Sequence, residues 1–311
     1  MVVGEHLQPA SRELLELSSY ERLMYLNKSL WIDYLGAQQI LERLEELVNL
    51  PRTHRMPNML IIGPTNNGKS MIKEKFCKSY RGSIVYDCSP EILKHYGKEV
   101  LEQFIVSIQM PAHPTFKTLL LAICEGFEQA DRYSDLSVPY LNQTVYRILG
   151  KIRVKMLIID EIHNMLASPV RQQLEFLNFI RHIGNELQIP IVCLGTKDAY
   201  LAIRTDPQLE NRFEPFLLPR WKPGVEFNNL LESFVSTLPL EYYSDLTDPK
   251  IVEWLLLYSG GILGELASIL KLATKRAIML GRERIELETL VELNYKSPQA
   301  RIKAFESMLS K

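Results

Sequence analysis

Gly63-Pro64-Thr65-Asn66-Asn67-Gly68-Lys69-Ser70 satisfies every fixed position of the phosphate-binding pattern G-x-x-x-x-G-K-[ST]. Those residue types do one kind of chemistry. Gly63 and Gly68 let the backbone turn tightly enough for its N–H groups to surround a β-phosphate, Lys69 reaches the β- and γ-phosphates, and the Ser70 hydroxyl ligates Mg²⁺. A second set lies ninety residues on, where Leu157-Ile158-Ile159 delivers Asp160 and Glu161 to the tip of an apolar run. Two carboxylates there are costly to desolvate unless a cation or a water needs them. Asp160 is assigned to the Mg²⁺ shell and Glu161 to activation of the attacking water. Alone, such a pair fits a solvated turn equally well; together with the glycine loop, both motifs must converge on one nucleotide, and ATP with Mg²⁺ is the expected pair.

Two further residues could complete hydrolysis. Thr196, after Leu194-Gly195, is placed to sense the γ-phosphate, or else to cap the helix starting near Asp198. Arg212 ends a short helical stretch beginning at Pro207, and such an arginine, supplied by a neighbouring subunit, stabilises charge on the transferring phosphoryl group; taken alone it reads as an ordinary surface residue.

The elements that must hold these residues follow from periodicity. Met59 to Ile62 reads as a buried strand before the glycine loop, and Ile72, Phe76 and Tyr80 recur as on a helix after it. Ser83 to Tyr86 is a candidate short strand, Phe104 to Ile108 a stronger one taken as central, and Val154 to Ile159 the clearest buried one. Helices are expected over 115–128 and from about 139 to 151, then along Val170, Leu174, Leu177, Ile180, Ile183 and Leu187, before the strand Ile191 to Leu194. Alternating strands and helices predict an α/β fold with a parallel central sheet covered on both faces and ligands beyond the strands' carboxyl ends. From Lys222 the pattern is helix only, with Leu263, Leu266, Leu270, Ala273, Ala277 and Leu280 on one face and Gly281 as a stop. The expected organisation is an N-terminal helical segment (1–50, with Ile40, Leu44 and Leu47 on one face), a nucleotide-binding core (51–221), a helical lid (222–295) and a tail (296–311). Ile302, Phe305, Met308 and Leu309 make the tail a short amphipathic helix that docks on a partner or on the lid.

The chain has 311 residues, 46% of them hydrophobic, enough for one large and one smaller domain. A formal net charge of −1 carries no bulk signature of nucleic-acid binding, so any DNA contact must come from a local patch. Cys77, Cys88, Cys124 and Cys193 lack metal-ligand spacing, as do the six histidines, and buried thiols in a reducing cytoplasm are expected. No apolar run approaches the ~18 residues of a membrane span, so no membrane partner is expected.

Several strings together resemble the TniB family of transposition ATPases, relatives of TnsC: Trp31-Ile32-Asp33-Tyr34, Arg55-Met56-Pro57-Asn58, Asn67-Gly68-Lys69-Ser70, Asp160-Glu161-Ile162-His163-Asn164, Gly184-Asn185-Glu186-Leu187-Gln188-Ile189-Pro190, Gly195-Thr196-Lys197-Asp198-Ala199 and Leu218-Pro219-Arg220-Trp221. The similarity spans roughly residues 30 to 290. It implies a P-loop AAA+ three-layer sandwich with a C-terminal helical lid, ATP-dependent assembly into rings or helical filaments on double-stranded target DNA, and partnership with a DDE transposase and a TniQ-type target selector. It also implies that Arg212 is a trans-acting arginine finger and that Trp31 and Tyr34 line the adenine pocket, where core packing explains them equally well. In TnsC-like rings the DNA-facing loops follow the strand after the first helix, which implies Lys117 and Thr118 as phosphate contacts, with Arg132 and Tyr133 next; Lys117 is as readily a solvated helix residue. One departure is Gly260-Gly261-Ile262-Leu263-Gly264-Glu265, where Glu265 stands at the place of a second sensor arginine. That implies slow hydrolysis, with ATP mainly an assembly switch. The alternatives are a helicase-loader type AAA+ ATPase and a nucleotide-gated scaffold that holds ATP without turning it over.

Overall fold

The computed structural model describes residues 3–80, 83–86, 99–102, 105–126, 133–152, 154–204 and 207–309. Two compact units result: Gln39–Thr65 with Lys69–Leu218, and Met1–Gln38 with Asn66–Gly68 and Pro219–Lys311.

The first unit is built on strands β1 (Asn58–Ile62), β2 (Ser83–Tyr86), β3 (Glu99–Glu102), β4 (Ile105–Gln109), β5 (Met156–Asp160), β6 (Ile191–Gly195) and β7 (Phe213–Leu217). Five of them form a parallel sheet in the order β4-β5-β6-β1-β7, while β2 and β3 pair antiparallel by themselves. β1, β5 and β6 are buried at every position, which is why they read as unbroken apolar runs. The strand read as central, β4, pairs only with β5 and is an edge strand among the described residues. β7 was not anticipated, because Glu214 and Pro215 interrupt its apolar pattern; an edge strand tolerates both, since one side needs no ladder donors.

Helices Lys69–Ser79, Phe116–Glu125, Val138–Lys151, Val170–Leu187 and Lys197–Ile203 connect these strands. In the longest, Phe176, Leu177, Phe179, Ile180 and Ile183 are buried, whereas Val170 and Leu174, expected on that face, are 70% and 48% exposed. The first buried position is Phe176, so the first turns extend beyond the core.

The second unit is helical: Pro9–Glu13, Ser19–Tyr25, Val225–Thr237, Pro249–Ser259, Leu263–Met279, Leu287–Val291 and Pro298–Leu309. Its core joins the two ends of the chain, packing Leu26 and Ile32 with Phe227, Leu231, Leu266 and Leu270. Gly281 (φ 67°) follows the end of the longest helix, as its left-handed backbone favours. On that helix Leu266, Leu270, Ala273 and Ala277 are buried, but Leu280 is half-exposed. The tail helix buries none of its residues, and Ile302, Phe305, Met308 and Leu309 are all exposed. No helix among the described residues is long and apolar enough to cross a membrane.

Candidate active site

Parallel pairing fixes which ends of the strands meet. Ile62 stands in register with Gly195 and Leu217, and Gln109 with Asp160, so Gly63, Asp160 and Thr196 all leave the sheet at its carboxyl edge. Gly63 must be glycine there, because a Cβ would lie 2.8 Å from the Leu218 carbonyl oxygen. Its N–H donates to the Gly195 oxygen (3.2 Å), which joins the glycine loop to the strand bearing Thr196.

Lys69, only 5% exposed, donates its ammonium to the Gly63 and Pro64 carbonyls at 2.8 and 2.7 Å. Burial lowers its pKa, and the charges of Glu161 and then Asp160 act against that shift. The Ser70 hydroxyl donates to Asp160 Oδ2 at 3.0 Å, so the two residues assigned to the metal come together. A hydroxyl and one carboxylate are hard oxygen donors suited to Mg²⁺, which takes few protein ligands and completes its shell with phosphates and water. No group of three or more acidic, His or Cys ligands occurs among the described residues, and this kind of site does not require one.

Asp160 is buried, and its other oxygen accepts the Glu161 N–H at 2.8 Å. Glu161 sits in the left-handed region (φ 53°, ψ 36°), strained for a residue with a Cβ, at the head of the 3₁₀ turn Ile162–Ala167. Thr196 occupies the N-cap of Lys197–Ile203 yet makes no side-chain cap bond; its buried hydroxyl has no partner among the described residues.

Two site residues escaped sequence reading. Lys73 Nζ lies 2.8 Å from Asp160 Oδ2. It is four residues after Lys69 and therefore on the same helical face, a spacing that could have flagged it. His163 Nε2 lies 3.1 Å from Glu161 Oε2, while its Nδ1 is buried without a partner among the described residues.

Arg212 is at the opposite edge. It precedes β7, and the Asn58 N–H, at the start of β1, donates to its carbonyl at 2.9 Å. Five residues of β1 span about 16 Å, further than an arginine side chain reaches, so within one protomer Arg212 does not approach the glycine loop at the other end.

In the helical unit, the loop apex Asn66–Gly68 is tied to the helix Leu263–Met279. That helix has no side-chain cap of its own at Ile262. Instead the Leu263 N–H donates to Asn67 Oδ1 (3.0 Å) and the Gly264 N–H to the Asn66 carbonyl (2.9 Å), satisfying two of the orphan donors of its first turn. Asn67 also donates its amide to Pro219 O at 3.0 Å. Close approach explains two glycines: a Cβ on Gly264 would fall 2.1 Å from Asn66 Oδ1, and one on Gly261 (φ +69°) 2.4 Å from the Trp221 carbonyl. Tyr34 packs edge-on against Trp221 (5.4 Å), and burial pushes its hydroxyl pKa up to about 12. Trp31 is half-buried in the same unit. Glu265 accepts from Tyr295 (2.6 Å) and Arg301 (2.7 Å), the latter on the tail helix.

Thr118 Oγ1 closes a capping box with Thr115 at the start of Phe116–Glu125, while Lys117 is half-buried beside it. Arg132 lies outside the described residues, as does Cys88.

Comparison with solved structures shows the AAA+ P-loop fold. The Aeropyrum pernix ORC1 protein in complex with DNA matches with a TM-score of 0.57 at 17% identity, over 86% of this chain and 64% of that one. Drosophila ORC bound to DNA gives 0.54 at 12%, over 92% and 66%. Cdc6p from Pyrobaculum aerophilum gives 0.56 at 16%, over 84% and 67%. The chain thus spans slightly less than two thirds of the first two proteins. No curated protein sequence matches it. The profile of the family described as "Bacterial TniB protein" matches residues 22–223.

Proposed function

The chain belongs to the TniB family, and from that premise we propose that it is an ATP-dependent, DNA-binding AAA+ regulator of transposition. It assembles on double-stranded target DNA as a ring or helical filament, responds to a TniQ-type target selector, and recruits and activates a DDE transposase. Two of the structures it resembles, the Aeropyrum pernix ORC1 protein and Drosophila ORC, are complexes with DNA, which accords with a DNA-bound role.

The observation that carries the reading is the division of the hydrolytic groups between two edges of one sheet. Lys69, Ser70, Asp160 and Glu161 share the carboxyl edge, and Arg212 stands at the amino edge. On this reading Lys69 exchanges its two loop carbonyls for the β- and γ-phosphates, Ser70 and Asp160 hold Mg²⁺, Glu161 accepts a proton from the attacking water, and Thr196 turns its hydroxyl to the γ-phosphate. A Mg²⁺ ion held by Ser70 and Asp160 would supply charge neutralisation for the phosphates. Arg212 serves the neighbouring protomer, so the active unit is a pair and ATP favours assembly.

The test is assembly on duplex DNA with a non-hydrolysable ATP analogue, followed by sedimentation and electron microscopy, with Lys69→Ala beside the native chain. ATP-dependent oligomers on duplex DNA, lost in Lys69→Ala, are expected. Assembly indifferent to both nucleotide and Lys69 sinks the proposal, and a preference for single strands moves it to a helicase-loader role.

Glu265 favours a second reading. Its carboxylate, at the place of a second sensor arginine, is already held by Tyr295 and Arg301. A nucleotide-gated scaffold follows if phosphate release is at background in both the native protein and Glu161→Gln while ATP still binds.

A further inference from the structure

We propose that Asn185 is the positioning residue for Arg212, holding its guanidinium toward the neighbouring protomer without neutralising its charge. This rests on the reading of Arg212 as the arginine that completes another protomer's site.

The backbone of Arg212 is pinned on both sides: its N–H donates to the Leu209 carbonyl, and its own carbonyl accepts the Asn58 N–H, each at 2.9 Å. Asn58 is itself fixed, being 4% exposed with its side-chain oxygen accepting the Ile191 N–H at 2.9 Å. The start of β1, the start of β6 and the residue before β7 are therefore one rigid anchor at the amino edge. What the anchor does not fix is the side chain. An arginine side chain turns about several bonds, and a guanidinium free to wander gives up much of its value at a transition state.

Asn185 supplies the missing constraint. Arg212 Nη1 donates to Asn185 Oδ1 at 2.6 Å. Asn185 lies in the last turn of Val170–Leu187, whose end is closed by Gln188 in the left-handed conformation and by Ile189 N–H bonding back to the Gly184 carbonyl. The acceptor is thus mounted on the capped end of an eighteen-residue helix.

The chemistry of the acceptor matters as much as its place. Arg43, Arg204, Arg276 and Arg301 bond glutamates, which cancel their charge. Arg212 bonds a neutral amide oxygen. The guanidinium keeps its full positive charge and planar fork for phosphate oxygens.

The test uses the full chain with ATP, Mg²⁺ and duplex DNA. Asn185→Ala is expected to lower kcat for ATP at least tenfold with KM within twofold of native, because its own glycine loop is untouched. Mixed with Lys69→Ala, which binds no ATP but offers an intact Arg212, it should recover turnover above the sum of the two separate proteins. A residue that merely supports the fold produces neither the kcat-only loss nor recovery on mixing. Asn185→Asp guards against a folding failure: it keeps the contact but adds a carboxylate, so thermal stability is expected to hold while kcat still falls. Native kcat in Asn185→Ala, or a loss that mixing does not repair, overturns the proposal. Arg212→Ala separates the levels: if it hydrolyses normally, the arginine reading itself fails, whereas if it is inactive while Asn185→Ala is normal, only the role of Asn185 falls. Should native turnover be too slow to follow, the same proteins are compared by ATP-dependent assembly, where Asn185→Ala is expected to need at least tenfold more protein and equal requirements overturn the proposal.

Discussion

Glu161 is the residue whose chemistry is most separable from binding. It points from a strained left-handed backbone at the edge where Asp160 and Ser70 meet, and it contacts His163 rather than Lys69. Glu161→Gln keeps the volume but removes the carboxylate proposed as the base. Phosphate release is expected to fall at least ~100-fold, while binding of a fluorescent ATP analogue stays within a few-fold of native. Tyr34 gives a pH signature. Burial raises its pKa from 10.0 to about 12, so the folded protein favours the neutral phenol. The sign follows: its contribution to stability is complete below about pH 10 and is lost as the pH climbs toward 12. Alkaline titration of native and Tyr34→Phe proteins, followed by tyrosinate absorbance and melting, should show the variant losing less stability across that window.

At the level of elements, glycines and a buried ion pair make two of the joints. Gly261 combines a positive φ with a backbone carbonyl where a Cβ would stand, so Gly261→Ala is expected to cost at least about 2 kcal/mol in thermal or urea unfolding. Arg22 and Glu283, 5% and 8% exposed, form a two-pronged ion pair at 2.8 Å that joins Ser19–Tyr25 to the turn after Leu263–Met279. Arg22→Ala leaves a buried carboxylate unmatched, and a loss of about 3–5 kcal/mol is expected by the same measurement. These elements also show what could be read in advance. β1, β5 and β6 were legible because a strand buried on both faces must be apolar throughout, and the glycine loop and acidic pair because their chemistry fixes residue type over a short stretch. The place of β4 at the sheet edge was not, since order depends on pairing between distant segments. Neither was the grouping of residues 1–38 with 219–311, which rests on contacts such as Arg22 to Glu283. Lys73, His163 and Asn185 were missed for a related reason: each is an ordinary polar residue until its partner is brought to it.

For the molecule as a whole, a net charge of −1 supplies no long-range attraction to DNA, so on the proposed reading affinity comes from local contacts repeated by assembly. Binding to duplex DNA should therefore be steeply dependent on protein concentration and on salt, with each phosphate contact adding about 0.9 to the slope of log affinity against log salt. If Lys117 provides one of them, Lys117→Ala lowers that slope by about 0.9 for every engaged protomer, measured by fluorescence anisotropy across a salt series; an unchanged slope removes Lys117 from the interface. The pairing of Lys73 with Asp160 bears on the entire chain in another way. The protein brings its own counterion to Asp160, the most buried carboxylate among the described residues, so a magnesium ion bound as proposed would be a visitor to the fold rather than a member of it. Chelation with EDTA should silence turnover while leaving the melting temperature where it was, whereas Lys73→Met should make folding itself sensitive to the divalent ion.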